Sequence, residues 1–342
     1  MGLRAYLVRR LLLLIPTLIG VTLLIFAVTQ LFTPIQRASL YIRSEKEASP
    51  ENLNRIIAKY HLNESVLVQY YYWITEVLHG NLGYSMSKHM PVSEAILSAF
   101  PASAELVIFA IPLTVILGIY LGTISAVHRD KPLDHATRFL SIAGWSLPTF
   151  WFGLILLALF YDWFPAGRLG AVARNAVFSP AFTRYTGLNI LDGLLNAQPW
   201  ISLDALRHII LPVITLTVVQ IALIVRVMRS SMLEALGKGY ITAARAKGLN
   251  QKEVINKHAR RNALIPVITL AGILTAGLLT GVVITETVFS YYGLGYFAAH
   301  AAMQLDAPAV LGFALFTGIM YVFANLMVDM MYAYVDPRIR LG

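Results

Sequence analysis

The chain has 342 residues, of which 57% are hydrophobic and only 13% charged. An ordinary soluble domain is about 45–50% apolar and about 25% charged, so too few charges remain to cover a water-soluble globule of this size. The formal net charge is +9 and cysteine is absent, which excludes a disulfide scaffold, thiolate metal sites and a cysteine nucleophile.

Six long apolar stretches follow in chain order, at 11–32, 102–127, 139–164, 208–228, 264–289 and 308–333. Crossing about 30 Å of hydrocarbon at 1.5 Å per residue needs about 20 residues, and each stretch meets that length. Leu11 to Phe32 holds no charge. It is too long for the apolar core of a signal peptide and lacks a clean small-x-small cleavage pattern, so it reads as a retained anchor. The expected fold is an all-α integral membrane protein with six transmembrane helices. Its parts are 1–32 (cytoplasmic start and first span), 33–101 (an extracytoplasmic helical region) and 102–342 (a five-helix core).

Within 33–101, Ser49-Pro50-Glu51 carries the marks of a helix start: a capping side chain, a first-turn proline and an acid near the positive end. Leu53, Ile56, Ile57 and Tyr60 then recur at helical spacing. A second run carries Leu67, Tyr70, Tyr71, Ile74, Val77 and Leu78 and ends at Gly80. Two short amphipathic helices on the outer face follow, either as a cap over the bundle or as a docking surface. Each long stretch holds a proline. Pro212, Pro266 and Pro308 are expected in or near a first turn, where the missing N–H matters little; Pro112 and Pro148 are expected to bend their spans. Gly118-x-x-x-Gly122 and Gly277-x-x-x-Gly281 offer close helix contacts.

Orientation follows from the basic residues. With six spans, the segments on the side of the termini (1–10, 128–138, 226–261 and 334–342) hold 17 Lys/Arg in 66 residues. The opposite segments hold 10 in 130. Short cytoplasmic loops are basic, which places both termini inside and explains the charge without nucleic acid.

The chain shows no H-E-x-x-H, no paired zinc spacing, no G-x-x-x-x-G-K-[ST] and no G-x-S-x-G. Ser141 and Ser146 have no histidine at depth to serve them, which removes an intramembrane hydrolase. Glu286 and Asp329 are ionisable residues near span ends, each with a pathway or a structural reading. For Asp329 the structural one is favoured, with Asn325 and Tyr332 on the same helical face. So few acids make a stand-alone ion-coupled transporter or channel the weaker alternative.

The segment 226–261 is the informative one. Thr242 to Lys247 is rich in helix formers, Gln251 to Arg261 is again helical in pattern, and Gly248 between them is placed to cap the first. A helix, a glycine turn and a second helix projecting below two spans suit insertion into a groove on another protein. Ala243-Ala244-Arg245-Ala246-Lys247-Gly248 resembles the coupling (EAA) loop of binding-protein-dependent ABC import permeases. Thr242 stands where the general pattern has Glu, and Pro266 comes about five residues later than usual. Both features, with His258 and Arg261-Asn262-Ala263-Leu264-Ile265-Pro266, resemble the dipeptide/oligopeptide/nickel branch. So do Arg9-Arg10…Pro16, Gly80-Asn81-Leu82-Gly83-Tyr84-Ser85, His208…Pro212, Gly281…Glu286…Phe289…Gly293-Leu294-Gly295 and Asp329…Asp336-Pro337-Arg338. The insert at 171–205 fits the pattern least.

The resemblance implies an ABC type I importer permease, not an enzyme. It implies a second homologous permease, two ATPase subunits that bind ATP and Mg, and an extracytoplasmic binding protein. This chain itself would hold no cofactor and no metal. Peptides are the default cargo of the branch, though nickel and oligosaccharides are also carried. The coupling loop spans 229–263, with Thr242, Ala243, Ala244, Arg245, Lys247, Gly248, Leu249 and His258 as its contact residues. Glu286 and Phe289 are the candidates for a pathway or gating role.

Overall fold

The computed structural model describes residues 3–335. It is helical almost throughout. Among the described residues, five helices are long and apolar enough to cross a membrane, or six when one strongly bent pair counts as a single span. The expected all-α architecture is therefore observed. Asp329 and Tyr332, whose mutual packing was expected, and Asp336-Pro337-Arg338 lie outside the residues whose side chains are described.

The first span, Leu3–Thr29, sits at the periphery. Only 11% of its apolar window is buried, so the rest of the chain leaves most of its surface uncovered. Its C-terminal end packs beneath the region that follows, residues 33–101. There Ser49 Oγ accepts from the Asn52 N–H and Pro50 opens the helix Pro50–Lys59. A second helix, Val66–Leu78, follows and ends just before Gly80, whose φ is +78°. Phe26, Tyr41, Tyr60, Leu62 and Trp73 form their common core with Leu315 of the sixth span. The two helices are thus a packed cap over the first and sixth spans.

The second span, Val92–Val127, and the fourth, Pro199–Leu236, run 36 and 38 residues. At 1.5 Å per residue each is over 50 Å long and extends well beyond the hydrocarbon. They form the central seam of the bundle. A Cβ on Gly118 would lie 2.4 Å from Ile224 Cγ2, and one on Gly122 would lie 2.9 Å from the Val225 carbonyl. The expected close contact at this glycine pair is present. The other pair differs: Gly277 has open space around it, and Gly281 is a turn residue with φ +98°.

The prolines behave differently from expectation at three places. Pro212 and Pro266 lie inside their helices, not in first turns. The apolar stretch marks the hydrocarbon, whereas each helix begins earlier, in polar sequence. Pro308 does lie in the first turn of the sixth span, Ala307–Val335. Pro112 sits within an unbroken helix beside fully buried Leu106 and Ala110. Pro148 breaks the third span outright: Pro132–Ser146 and Thr149–Phe160 meet at 99°. Leu147 is forced into extended backbone by the following proline (φ −72°, ψ 129°), and both residues are at least partly exposed, so packing does not hold the helix through.

The insert between the third and fourth spans folds on its own small core. Leu169, Ala173, Val177 and Phe182 pack on Ile201 and Ala205, and Asp192 accepts from the Thr186 and Gly187 N–H groups at 2.9 and 2.8 Å.

Candidate coupling site and its buried framework

The fourth span continues straight out of its apolar stretch to Leu236. A short helix, Gly239–Ala246, then folds back beneath it. Ile241 and Ala244, three residues apart on one edge, are buried with Met228, Met232 and Ala235 of the fourth span and with Val254, Ala259 and Ala263 on the approach to the fifth. The other faces carry Thr242, Ala243, Arg245 and Lys247, all exposed.

The helix ends in a complete two-bond glycine cap. Gly248 donates to the Arg245 carbonyl at 2.9 Å and Leu249 to the Ala244 carbonyl at 3.3 Å. Gly248 has φ +79°, a value at which L side chains are strained, and Leu249 packs back against the buried cluster. Asn250 then caps the next segment, its Oδ1 accepting from the Glu253 N–H at 2.8 Å. The helix–glycine–helix shape read from the sequence is present, but the second helix carries a wide π turn at Val254–Ala259 before Arg260–Leu279. Half-buried His258 lies in that turn. Its carbonyl accepts from Asn262 Nδ2 at 2.9 Å, and the same nitrogen reaches the Tyr240 hydroxyl at 3.2 Å. The eight loop residues singled out in the sequence therefore lie on one continuous structure: Ala244 and Leu249 on its inner side, Thr242, Ala243, Arg245, Lys247 and Gly248 outside, and His258 half-buried in the π turn.

Glu286 and Phe289 belong elsewhere, beyond the break that ends the fifth helix, at the far end from the loop. The helix stops at Leu279, turns through Gly281, and restarts as Val283–Val288. A Cβ on Gly281 would lie 2.3 Å from the Gly295 nitrogen, so the Gly281…Gly295 motif marks two backbones in close crossing. Glu286 is fully buried. It accepts from Ser103 Oγ at 2.6 Å, from the Tyr296 N–H at 2.7 Å and from the Val282 N–H at 3.3 Å. Phe289 is 1% exposed in the central core. Both candidates for a pathway or gating role are thus buried within this chain: the carboxylate ties the second span to the turn after the fifth helix, and the ring fills space against Gly153.

Two further ionic clusters escaped the sequence reading. Glu105, 1% exposed, accepts from Arg168 Nη2 at 2.9 Å, Tyr291 OH at 2.7 Å and the Ile190 N–H at 3.0 Å. It joins the second span to the outer insert and the turn after the fifth span. A lone acid inside the 102–127 stretch was the available signal. At the end of the bundle nearest the loop, Asp134 is fully buried and takes both prongs of Arg229, Nε at 2.8 Å and Nη2 at 2.7 Å, with Ser125 Oγ as a third partner. This fork pins the start of the third span and the end of the second to the base of the fourth, directly above the loop. Among the described residues no group of three or more His, Asp or Glu side chains could hold a metal ion.

Comparison with known proteins fits this arrangement. Residues 115–341 match the family described as binding-protein-dependent transport system inner membrane component, and residues 3–107 match its N-terminal membrane component. The chain is 38% identical over 337 residues to the dipeptide transport system permease protein DppB of Escherichia coli K12, covering 98% of each chain. It is 37% identical over 342 residues to the di/tripeptide transport system permease protein DppB of Pseudomonas aeruginosa, again covering 98% of each. It is 34% identical over 339 residues to the oligopeptide transport system permease protein AppB of Bacillus subtilis, covering 98% of this chain and 99% of that one. With a bundle of membrane-spanning helices and matches along nearly its whole length, the chain belongs to the inner membrane component family of binding-protein-dependent transport systems.

Proposed function

We propose that this chain is one of two permease subunits of an ATP-driven importer of short peptides. Relatives named for dipeptide, di/tripeptide and oligopeptide transport support the cargo class. In this reading ATP and Mg are bound by two ATPase subunits, and an extracytoplasmic binding protein delivers peptide to the outer cap. The denser basic charge of 1–10, 128–138 and 226–261 supports a cytoplasmic position for the loop and for both ends.

One observation carries the mechanical part. The helix Gly239–Ala246 offers Thr242, Ala243, Arg245 and Lys247 to a partner, while its buried edge is clamped between the bases of the fourth and fifth spans. A groove on the ATPase that grips the outer face moves both spans together, because Ile241 and Ala244 leave no slack between them. Closure of the ATPase pair on ATP then biases the bundle between outward- and inward-open states through a rigid-body shift.

The test is co-purification from membranes. Tagged chain should retain the ATPase subunits, and Arg245→Glu with Lys247→Glu should lose them while the chain still inserts. Undiminished retention by the double variant, or ATP-independent solute transport by the purified chain alone in liposomes, would overturn this function.

A further inference from the structure

Two helices of this bundle are interrupted within their apolar stretches. The third span breaks at Leu147–Pro148, and the fifth stops at Leu279 before the non-helical Thr280–Val282. Irregular backbone at membrane depth persists only where protein or water covers it. Thr149, the first helical residue after one break, and Gly281 and Thr285, at and beyond the other, line one cavity of about 260 Å³. Its third wall is the fourth span, through Leu216, Val219 and Gln220.

Gln220 lies deep in the 208–228 apolar stretch and is half-buried. Among the described residues its amide makes no hydrogen bond. Thr285 is 1% exposed, and its hydroxyl also lacks a partner. Unpaired amide and hydroxyl groups at this depth are unfavourable against lipid and are retained where water or a polar ligand visits them. The same stripe of the fourth span continues at three- and four-residue steps from Leu216 and Val219 to Ala222, Arg226 and Ser230. There it lines a second cavity, of about 510 Å³, with Arg138 and Ser141 of the third span. The two cavities thus lie one below the other along one face, from mid-membrane toward the cytoplasmic loops.

We propose that this face is the chain's wall of the translocation pathway, and that Gln220, with Thr149, hydrogen-bonds the main chain of a peptide in transit. A primary amide offers both donors and an acceptor, and hydroxyls do the same. That set matches a peptide backbone, which presents both at each residue other than proline whatever its side chains. The proposal rests on the peptide-import reading and adds to it a position and a chemistry.

The absence of cysteine makes single-cysteine labelling direct. Gln220→Cys, Thr149→Cys and, as a lipid-facing control, Leu24→Cys (68% exposed in the wild type) are assembled into the whole transporter in proteoliposomes. Each is labelled with a charged, membrane-impermeant thiosulfonate, and modification of this chain is read by mass spectrometry. Positions 220 and 149 should react at least tenfold faster than position 24 in the resting or the vanadate-trapped state. Turnover with alanyl-alanine-loaded binding protein should slow them several-fold. Rates equal to that at position 24 in both states overturn the pathway assignment. Fast labelling that is indifferent to dipeptide, in a complex that still imports it, overturns the hydrogen-bonding role. An unsubstituted complex that hydrolyses ATP and imports no dipeptide refutes the peptide-import reading instead, a separate and recognisable failure.

Discussion

The turn at Gly248 gives the sharpest test of the coupling site. A Cβ placed there meets nothing within 4 Å, so Gly248→Ala introduces no clash with its neighbours. What remains is the backbone term. At φ +79° an L residue is disfavoured by about 1–2 kcal/mol, and that energy changes the population of the docked geometry by roughly 5- to 30-fold. Gly248→Pro is harsher. The ring fixes φ near −65° and removes the N–H that reaches the Arg245 carbonyl at 2.9 Å, a loss of about 1 kcal/mol more; the Leu249-to-Ala244 bond cannot form on the redirected chain. Because the turn is exposed, insertion and the packing of the spans should be unaffected. Gly239→Ala is the control: that site is also open but has no positive φ, so its effect should stay within about 0.5 kcal/mol. The assay is ATPase retention on tagged chain, with dipeptide imported per ATP hydrolysed. Gly248→Ala should weaken retention by the stated factor and Gly248→Pro should uncouple hydrolysis from import. Wild-type coupling in Gly248→Pro, or equal damage from Gly239→Ala, would refute the docking argument.

Two other predictions concern the Asp134 cluster and the cap formed by residues 33–101. Asp134→Ala leaves Arg229 without its only carboxylate partner among the described residues. It should lower stability in detergent by about 3 kcal/mol, the low end for a broken buried pair, since Arg229 keeps 20% exposure; Asp134→Leu with Arg229→Met should recover most of it, and an unchanged melting temperature in the single variant would remove the pin. In the outer cap, burial pushes the Glu76 carboxyl up, but hydrogen bonds from Asn81, Arg43 and Tyr60 outweigh it and hold the group below its ordinary range. Its contribution is therefore present above the ordinary carboxylate pKa and fades as pH falls through the lower folded value. Glu76→Gln should flatten the acid limb of the melting curve, and an identical acid limb would contradict this assignment.

What the sequence makes legible is local. Charge-free length announces the spans, Ser49-Pro50 announces a helix start, and a glycine between two helix-forming runs announces the cap at Gly248. What stays hidden depends on neighbours. Pro112 and Pro148 look alike in sequence. Both rings are exposed, but the helix around Pro112 packs along the fourth span through Ala110 and Thr114, whereas Pro148 ends a helix. Gly118 and Gly281 each begin or end a small-xxx-small pattern, yet one meets a helix and the other turns the chain. Glu105 and Tyr291 stand 186 residues apart, and no spacing rule joins them. The loop residues of the candidate site were readable because they are contiguous. The face along the fourth span was not, because its polarity shows only once two breaks are seen to open on one cavity.

The π turn at Val254–Ala259 has a consequence for how this loop tolerates changes in length. Its buried residues, Val254, Ala259, Ala263 and Val267, are spaced by five, four and four. The step of five falls on the wide turn, which accommodates one more residue than an α-helix while keeping Val254 in phase with the rest. Loss of one residue between positions 254 and 259 converts that step to an ordinary four and leaves the inward stripe aligned. The same loss between Ala263 and Val267 turns one end of the helix by about 100° against the other, carrying either the fifth span or the loop out of register. The tolerated deletion is thus confined to a single turn, the one beside the exposed face of the loop.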